Sequence, residues 1–283
     1  MLRQALPALR EGREPDPELL ARRALIAELS GPATPKYVEF GGLRCAVATS
    51  AVPRARIVHC HGGGFRHGSA RGWTAFASRL AAVADVEVLV PDYSLAPERP
   101  FPAAIHEIVS VLTAIQEGTS ALPLILAGDS AGAGLALATA SVLERPVPLA
   151  GIILLSPWID LRLDANSYRR CAASDATLSR ETLAVSAEAY LQGVSPENPL
   201  ASPLLGDLTG LPPVQVQVGS DEVLCDDSLA LAERLAAAGV RCELYLEPGV
   251  PHVWPVPFPD LAASVRALAR VGCFVSEVLD RSR

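Results

Sequence analysis

The feature that most constrains this chain is a recurrence. Short, continuous apolar runs rich in Val, Ile and Leu fall at 57–60, 86–90, 124–127, 152–155, 214–218 and 242–246. Stretches of helical character separate most of them, at 73–84, 103–117, 131–143 and 226–238, and a last helix is expected from about 260 to 279. A strand that is apolar without interruption is buried on both faces, and strands alternating with helices form a mostly parallel sheet. The expected fold class is therefore α/β, with helices on both faces of a central sheet. Ahead of the alternation, a Gly41-Gly42 turn divides 37–48 into two β-like halves, which reads as a hairpin.

One connection is too long for this pattern. The chain leaves the sheet near Trp158 and returns only after Pro213. Between them lie polar turns and one well-marked helix, capped by Ser179 and ended at Gly193. The segment 158–212 is expected to form part of a small helical cap, with about 1–35 as the rest. In the latter, Asp16-Pro17-Glu18 opens a helix and Ser30-Gly31-Pro32 closes it. Residues 1–283 then form one domain. That exceeds a prior of ~150 residues per domain but suits an α/β fold.

Composition excludes several functions. Half of the residues are hydrophobic and 19% are charged, so a large core is within reach. The formal net charge of -7 argues against nucleic acid or an anionic membrane surface as the main partner. The longest apolar run, 149–159, is broken by Ser156 and Pro157 and is too short to span a bilayer. The first residues carry no signal-peptide pattern, so a soluble, cytoplasmic protein is expected. The six cysteines form no Cys-x-x-Cys pair and are read as reduced, mostly buried thiols. No cluster has zinc-site spacing, and no metal is expected.

The chemistry concentrates in two glycine-rich turns. Gly128-Asp129-Ser130-Ala131-Gly132 joins the run at 124–127 to an Ala/Leu helix, the strand–turn–helix context of a nucleophile elbow. Small neighbours allow the sharp turn, and the N–H of Ala131 at the helix start points toward developing negative charge. A glycine-rich turn with an incidental serine is the bland alternative. The second turn, His61-Gly62-Gly63-Gly64-Phe65, follows the run at 57–60 and lets backbone N–H groups approach a ligand oxygen. A phosphate loop would continue with Lys-Ser/Thr, whereas this chain continues Phe65-Arg66-His67.

Taken in order, the HGGG turn, Asp92-Tyr93-Ser94-Leu95-Ala96-Pro97-Glu98 and GDSAG resemble the hormone-sensitive-lipase-like esterases of the α/β-hydrolase superfamily. Ser156-Pro157-Trp158-Ile159-Asp160-Leu161 and Ala201-Ser202-Pro203-Leu204 look like further landmarks of that family. The resemblance implies a sheet of about eight strands, a helical cap and ester hydrolysis without a cofactor. It also implies a triad. Of the five histidines, His252 lies where the family places its base, in the loop between the last strand and the last helix. His61 belongs to the HGGG turn, while His59 and His106 read as structural. The family's acid frame falls on Glu222-Val223-Leu224-Cys225-Asp226, making Glu222 the orienting acid and Asp221 its rival. Asp226 and Asp227 read as caps of the following helix.

The implied function is a serine carboxylesterase for small, short-acyl esters. Ser130 is the nucleophile, His252 the base, and Gly63, Gly64 and Ala131 the oxyanion donors. The same triad could instead serve a biosynthetic hydrolase, lactonase, acyltransferase or cyclase, and the scaffold alone could serve as a ligand receptor. Phe65, Trp73, Trp158 and Trp254 are candidates for pocket or core. Arg66 and His67 read as a solvated loop, with contact to an anionic or polar substrate group as the alternative. The partner is a small-molecule ester, and the oligomeric state stays open, a homodimer included.

Overall fold

The computed structural model describes residues 4–29, 34–118, 122–143 and 149–281. Eight strands form one sheet: β1 (Lys36–Phe40), β2 (Leu43–Thr49), β3 (Arg56–Cys60), β4 (Glu87–Pro91), β5 (Leu124–Asp129), β6 (Leu149–Leu155), β7 (Val214–Gly219) and β8 (Cys242–Glu247). Their order across the sheet is β1-β2-β4-β3-β5-β6-β7-β8. The β1–β2 hairpin is antiparallel and β2 runs antiparallel to β4, while every later pairing is parallel.

The unbroken apolar runs are explained by what covers them. Along β5, Leu124 and Leu126 point into one core while Ile125 and Ala127 point into the other. This is the two-residue alternation of a strand with both faces buried. One face is packed by α3 (Ala103–Glu117), α4 (Ala131–Val142) and α7 (Cys225–Ala237). The other is packed by α2 (Thr74–Ala84) and α8 (Ala262–Arg281), with Phe274 of α8 fully buried at its centre.

Three helices lie away from this frame: α1 (Pro17–Leu29), the single turn α5 (Ser167–Arg170) and α6 (Arg180–Leu191). Asp16 caps α1, its Oδ1 accepting the Leu19 N–H at 2.8 Å. The closing residues Ser30, Gly31 and Pro32 lie outside the described residues. Ser179 caps α6 through a capping box with Thr182. The helix ends one residue before the expected glycine: Gln192 takes the left-handed position, at φ 43°, and Gly193 follows at φ 89°. The Gln192 side chain explains this stop, because its Nε2 donates to the Pro97 carbonyl at 2.6 Å and ties the helix end to another loop.

The aspartates after Glu222 behave differently from expectation. Helix α7 starts at Cys225 after Leu224, with no side-chain cap. Asp226 pairs with Arg170, and Asp227 is buried, accepting the Tyr168 hydroxyl at 3.0 Å. Both hold α5 against α7, and neither caps the helix.

Candidate active site

The site forms where β3, β5, β7 and β8 reach their carboxyl ends. Ser130 occupies the turn between β5 and α4 at φ 52° and ψ -123°, a conformation that costs a non-glycine residue energy. The turn is affordable sterically because Gly132 packs directly on β3: a Cβ there would collide with the carbonyl oxygens of Cys60 and His61. Helix α4 is thereby drawn against the strand that leads into the HGGG turn. Ala131, at the first helical position, has an N–H with no intrahelical acceptor.

His252 stands in the loop between β8 and α8. Its Nε2 lies 2.9 Å from the Ser130 Oγ and its Nδ1 lies 2.6 Å from the Glu222 Oε2. A carboxylate can only accept, so Nδ1 carries the proton and Nε2 is left free to accept from the serine hydroxyl. Ser130, Glu222 and His252 are all buried, Glu222 most deeply at 1% exposure. Asp221 is exposed and turns away, its Oδ2 accepting the Gly249 N–H at 3.2 Å. The geometry therefore brings together the three residues expected from the sequence and leaves the rival carboxylate outside.

Glu222 is itself held from several directions. Its Oε1 accepts the Gly219 N–H at 2.6 Å and the Ser156 hydroxyl at 2.7 Å. The next residue, Val223, donates its N–H to Asp175 at 2.9 Å, so the segment after β6 also braces the acid turn. Sequence reasoning named Ser156 only as a landmark; the one signal for its role was its position at the end of β6.

The HGGG turn has its own supports. Gly63, at φ 118°, passes so close to His67 that a Cβ would strike the His67 carbonyl. The His61 ring stacks on Tyr93 at 4.2 Å, and the Tyr93 hydroxyl donates to the His61 carbonyl at 2.6 Å. Burial pushes the His61 imidazole below its ordinary pKa. Phe65 stacks on Tyr190 of α6 at 3.8 Å, docking that helix on the turn. The turn thus presents Gly63 and Gly64 to the same cleft as Ser130.

The cleft encloses about 940 Å³. Leu19 and Ile26 of α1 and Thr182 and Ser186 of α6 line it, with Ser130 and His252 in its wall. Of the four aromatic candidates only Trp73 lines it; Phe65, Trp158 and Trp254 are core. Trp73 is fixed by Asp129, whose Oδ1 accepts the indole N–H at 2.8 Å and faces the His59 Nε2 at 2.9 Å. That buried carboxylate beside Ser130 went unnoticed in the sequence, because its partners come from separate strands and loops. His106 is structural as expected, bonded to the Pro7 carbonyl at 2.7 Å. Arg66 and His67 are half-buried and line the cleft, so they are not the solvated loop expected. Among the described residues no His, Cys, Asp and Glu side chains cluster as a metal site, and no helix is long and apolar enough to cross a membrane.

Comparison with known proteins agrees with this architecture. Residues 57–256 match a family described as alpha/beta hydrolase fold. Over 223 residues the chain is 39% identical to an acetyl-hydrolase of Streptomyces hygroscopicus, covering 77% of this chain and 74% of that protein. It is 32% identical over 278 residues to the putative acetyl-hydrolase LipR of Mycobacterium tuberculosis, covering 94% and 89%. The crystal structure of an esterase from the bacterial hormone-sensitive lipase family superposes with a TM-score of 0.87 at 34% identity, covering 94% of this chain and 93% of that one. With its sheet, its elbow and these relatives taken together, the chain belongs to the hormone-sensitive-lipase-like esterases of the α/β-hydrolase fold and is a carboxylic ester hydrolase.

Proposed function

We propose that the chain is a serine carboxylesterase that cleaves small, short-acyl esters through an acyl-enzyme intermediate. The observation that carries this reading is the unbroken relay from Ser130 through His252 to Glu222. In the first half-reaction the Ser130 Oγ attacks the ester carbonyl carbon, and His252 Nε2 takes the hydroxyl proton. The carbonyl oxygen becomes an oxyanion, held by the N–H groups of Gly63, Gly64 and Ala131 and favoured by the N-terminus of α4. As the tetrahedral species collapses, the C–O bond breaks and His252 returns its proton to the leaving alcohol. In the second half, water takes the place of the alcohol and His252 removes its proton as it attacks the acyl carbon; the bond from that carbon to Ser130 Oγ then breaks, His252 returns the proton to Oγ, and the carboxylic acid leaves. Glu222, bonded to His252 Nδ1, stabilises the imidazolium formed in each half.

The segments 1–35 and 158–212 act as the cap of a single domain, since α1 and α6 wall the cleft above Ser130. Short acyl groups are favoured by two considerations. The cleft carries charged and hydroxyl side chains along with its apolar ones, which suits water-soluble esters. Two relatives are named acetyl-hydrolases. The test is a series of acetyl, butyryl, octanoyl and palmitoyl esters of p-nitrophenol, with Ser130→Ala as the blank. The reading expects kcat/KM to peak at acetyl or butyryl and to vanish in the variant. A peak at palmitoyl would overturn the substrate class, and full activity in Ser130→Ala would overturn the mechanism.

A further inference from the structure

The turn that presents Gly63 also carries a cation into the cleft. The N–H groups of Arg66 and His67 both donate to the Gly63 carbonyl, at 3.0 and 2.9 Å, so Arg66 sits one tight turn from the candidate oxyanion donors. The turn is clamped from outside. Arg23 of α1 donates its Nε to the Arg66 carbonyl at 2.7 Å, while its guanidinium grips Glu98 at 2.5 and 3.0 Å and the Ala96 carbonyl at 2.8 Å. Backbone position at residue 66 is therefore set before any ligand arrives.

Charges that line this cleft are otherwise engaged. Glu18 holds Arg22 at 2.6 Å, Asp16 caps α1, and Asp129 serves Trp73 and His59. Arg66 differs: its Nε is buried with no hydrogen-bond partner, and none of the ion pairs among the described residues includes its guanidinium. An Nε–H closed off from solvent without an acceptor is costly, and a ligand oxyanion placed against it would remove that cost. Arg22 lines the same cleft, and Arg23 lies beside the turn. The imidazole of His67 is held below its ordinary pKa, first by burial and then by Arg66, Arg23 and Arg22, against a partial offset from the Gly63 carbonyl.

We infer that Arg66 is a specificity-determining residue that selects small esters bearing a carboxylate or other compact anion, which its guanidinium grips while Ser130 attacks the ester. The inference rests on the esterase reading above and names its substrate class. A planar guanidinium suits this task because it donates two parallel hydrogen bonds to a carboxylate.

The test uses matched esters, with the charge placed on either side of the scissile bond. On the acyl side, p-nitrophenyl hemisuccinate is set against p-nitrophenyl butyrate. On the alcohol side, O-acetylglycolate is set against ethyl acetate. For at least one pair, wild type should favour the anionic ester, and added salt should reduce that preference. Arg66→Gln should then lower kcat/KM for that anionic ester by about tenfold to a hundredfold, the range of a charged hydrogen bond. Its neutral counterpart should change by less than about threefold, and Arg66→Lys should restore part of the loss. Equal losses on charged and neutral esters would overturn the inference, as would a wild type that rejects both anions yet turns over the neutral esters. The salt dependence of wild type stands independently of whether Arg66→Gln folds. Failure of wild type on every neutral ester would instead count against the esterase reading itself.

Discussion

The Ser156 hydroxyl donates to Glu222 Oε1 at 2.7 Å and accepts the Val253 N–H at 3.1 Å, so one side chain connects the acid to the backbone of the residue after His252. Ser156 sits at φ 45° and Val253 at φ 52°, both in a left-handed conformation. The acid and base of the relay are therefore registered to each other through the end of β6, as well as through their own hydrogen bond. Such outer supports fix the orientation of a working side chain at the cost of local strain.

Replacing Ser156 by Ala should leave the Val253 N–H without its side-chain acceptor and Glu222 Oε1 with the Gly219 N–H alone. Loss of a hydrogen bond to a charged group predicts a fall in kcat of about tenfold, with KM changed little, because Ser156 itself does not line the cleft. Steady-state kinetics on p-nitrophenyl acetate, beside a melting curve, checks this. A change in KM alone would refute the positioning role.

Glu222→Gln should be far more damaging. An amide cannot hold the imidazole in the tautomer that accepts from Ser130, and losses of about 10² to 10⁴ in turnover accompany that defect in other triads. Asp221→Asn should retain activity within about threefold, since the Asp221 side chain accepts the Gly249 N–H on the surface and does not touch His252. Kinetics of both folded variants decides between the two carboxylates.

Gly132→Ala tests how α4 is seated. The added methyl would meet the Cys60 and His61 carbonyl oxygens and push the helix away from β3. Overpacking of this kind costs about 1–3 kcal/mol, and here it also moves the Ala131 N–H away from where an oxyanion would form. A lowered melting temperature together with reduced kcat is expected; an unchanged enzyme would show that the approach is not needed.

Asp227 predicts a pH effect. Burial, reinforced by nearby Asp160, pushes its carboxyl up to about 8. In the unfolded chain an aspartate titrates near ~3.9. The folded state therefore holds the proton more tightly, and stability falls as pH rises from about 4 through 8. Asp227→Asn removes that titration. Its melting temperature should exceed that of wild type at pH 9 by more than at pH 5. Parallel curves for the two proteins would contradict the assignment.

Much of the frame was legible because it follows from local rules. The apolar runs, the Gly41-Gly42 turn and the Ser179 cap each state their structure within a few residues. The elbow and the HGGG turn did so as well, since both depend on glycines that only one backbone path requires. What stayed hidden depends on partners distant in sequence. Ser156 finds Glu222 66 residues away, and Asp129 finds His59 across 70. Gln192 replaced the expected glycine as the end of α6 because Pro97 receives its side chain. Asp226 and Asp227 looked like caps by position, but α5 claims both. Arg66 looked solvated because nothing local shows that α1 folds over it.

The central claim is that Ser130 is the nucleophile, and covalent capture tests it most directly. A fluorophosphonate reacts only with a serine whose hydroxyl is activated by a neighbouring base. Treated protein, digested and sequenced by mass spectrometry, should carry the adduct on the peptide containing Ser130, at one per chain, with His252→Ala slow to label and Ser130→Ala unlabelled. An adduct on a different residue, or labelling that persists in Ser130→Ala, would contradict the account.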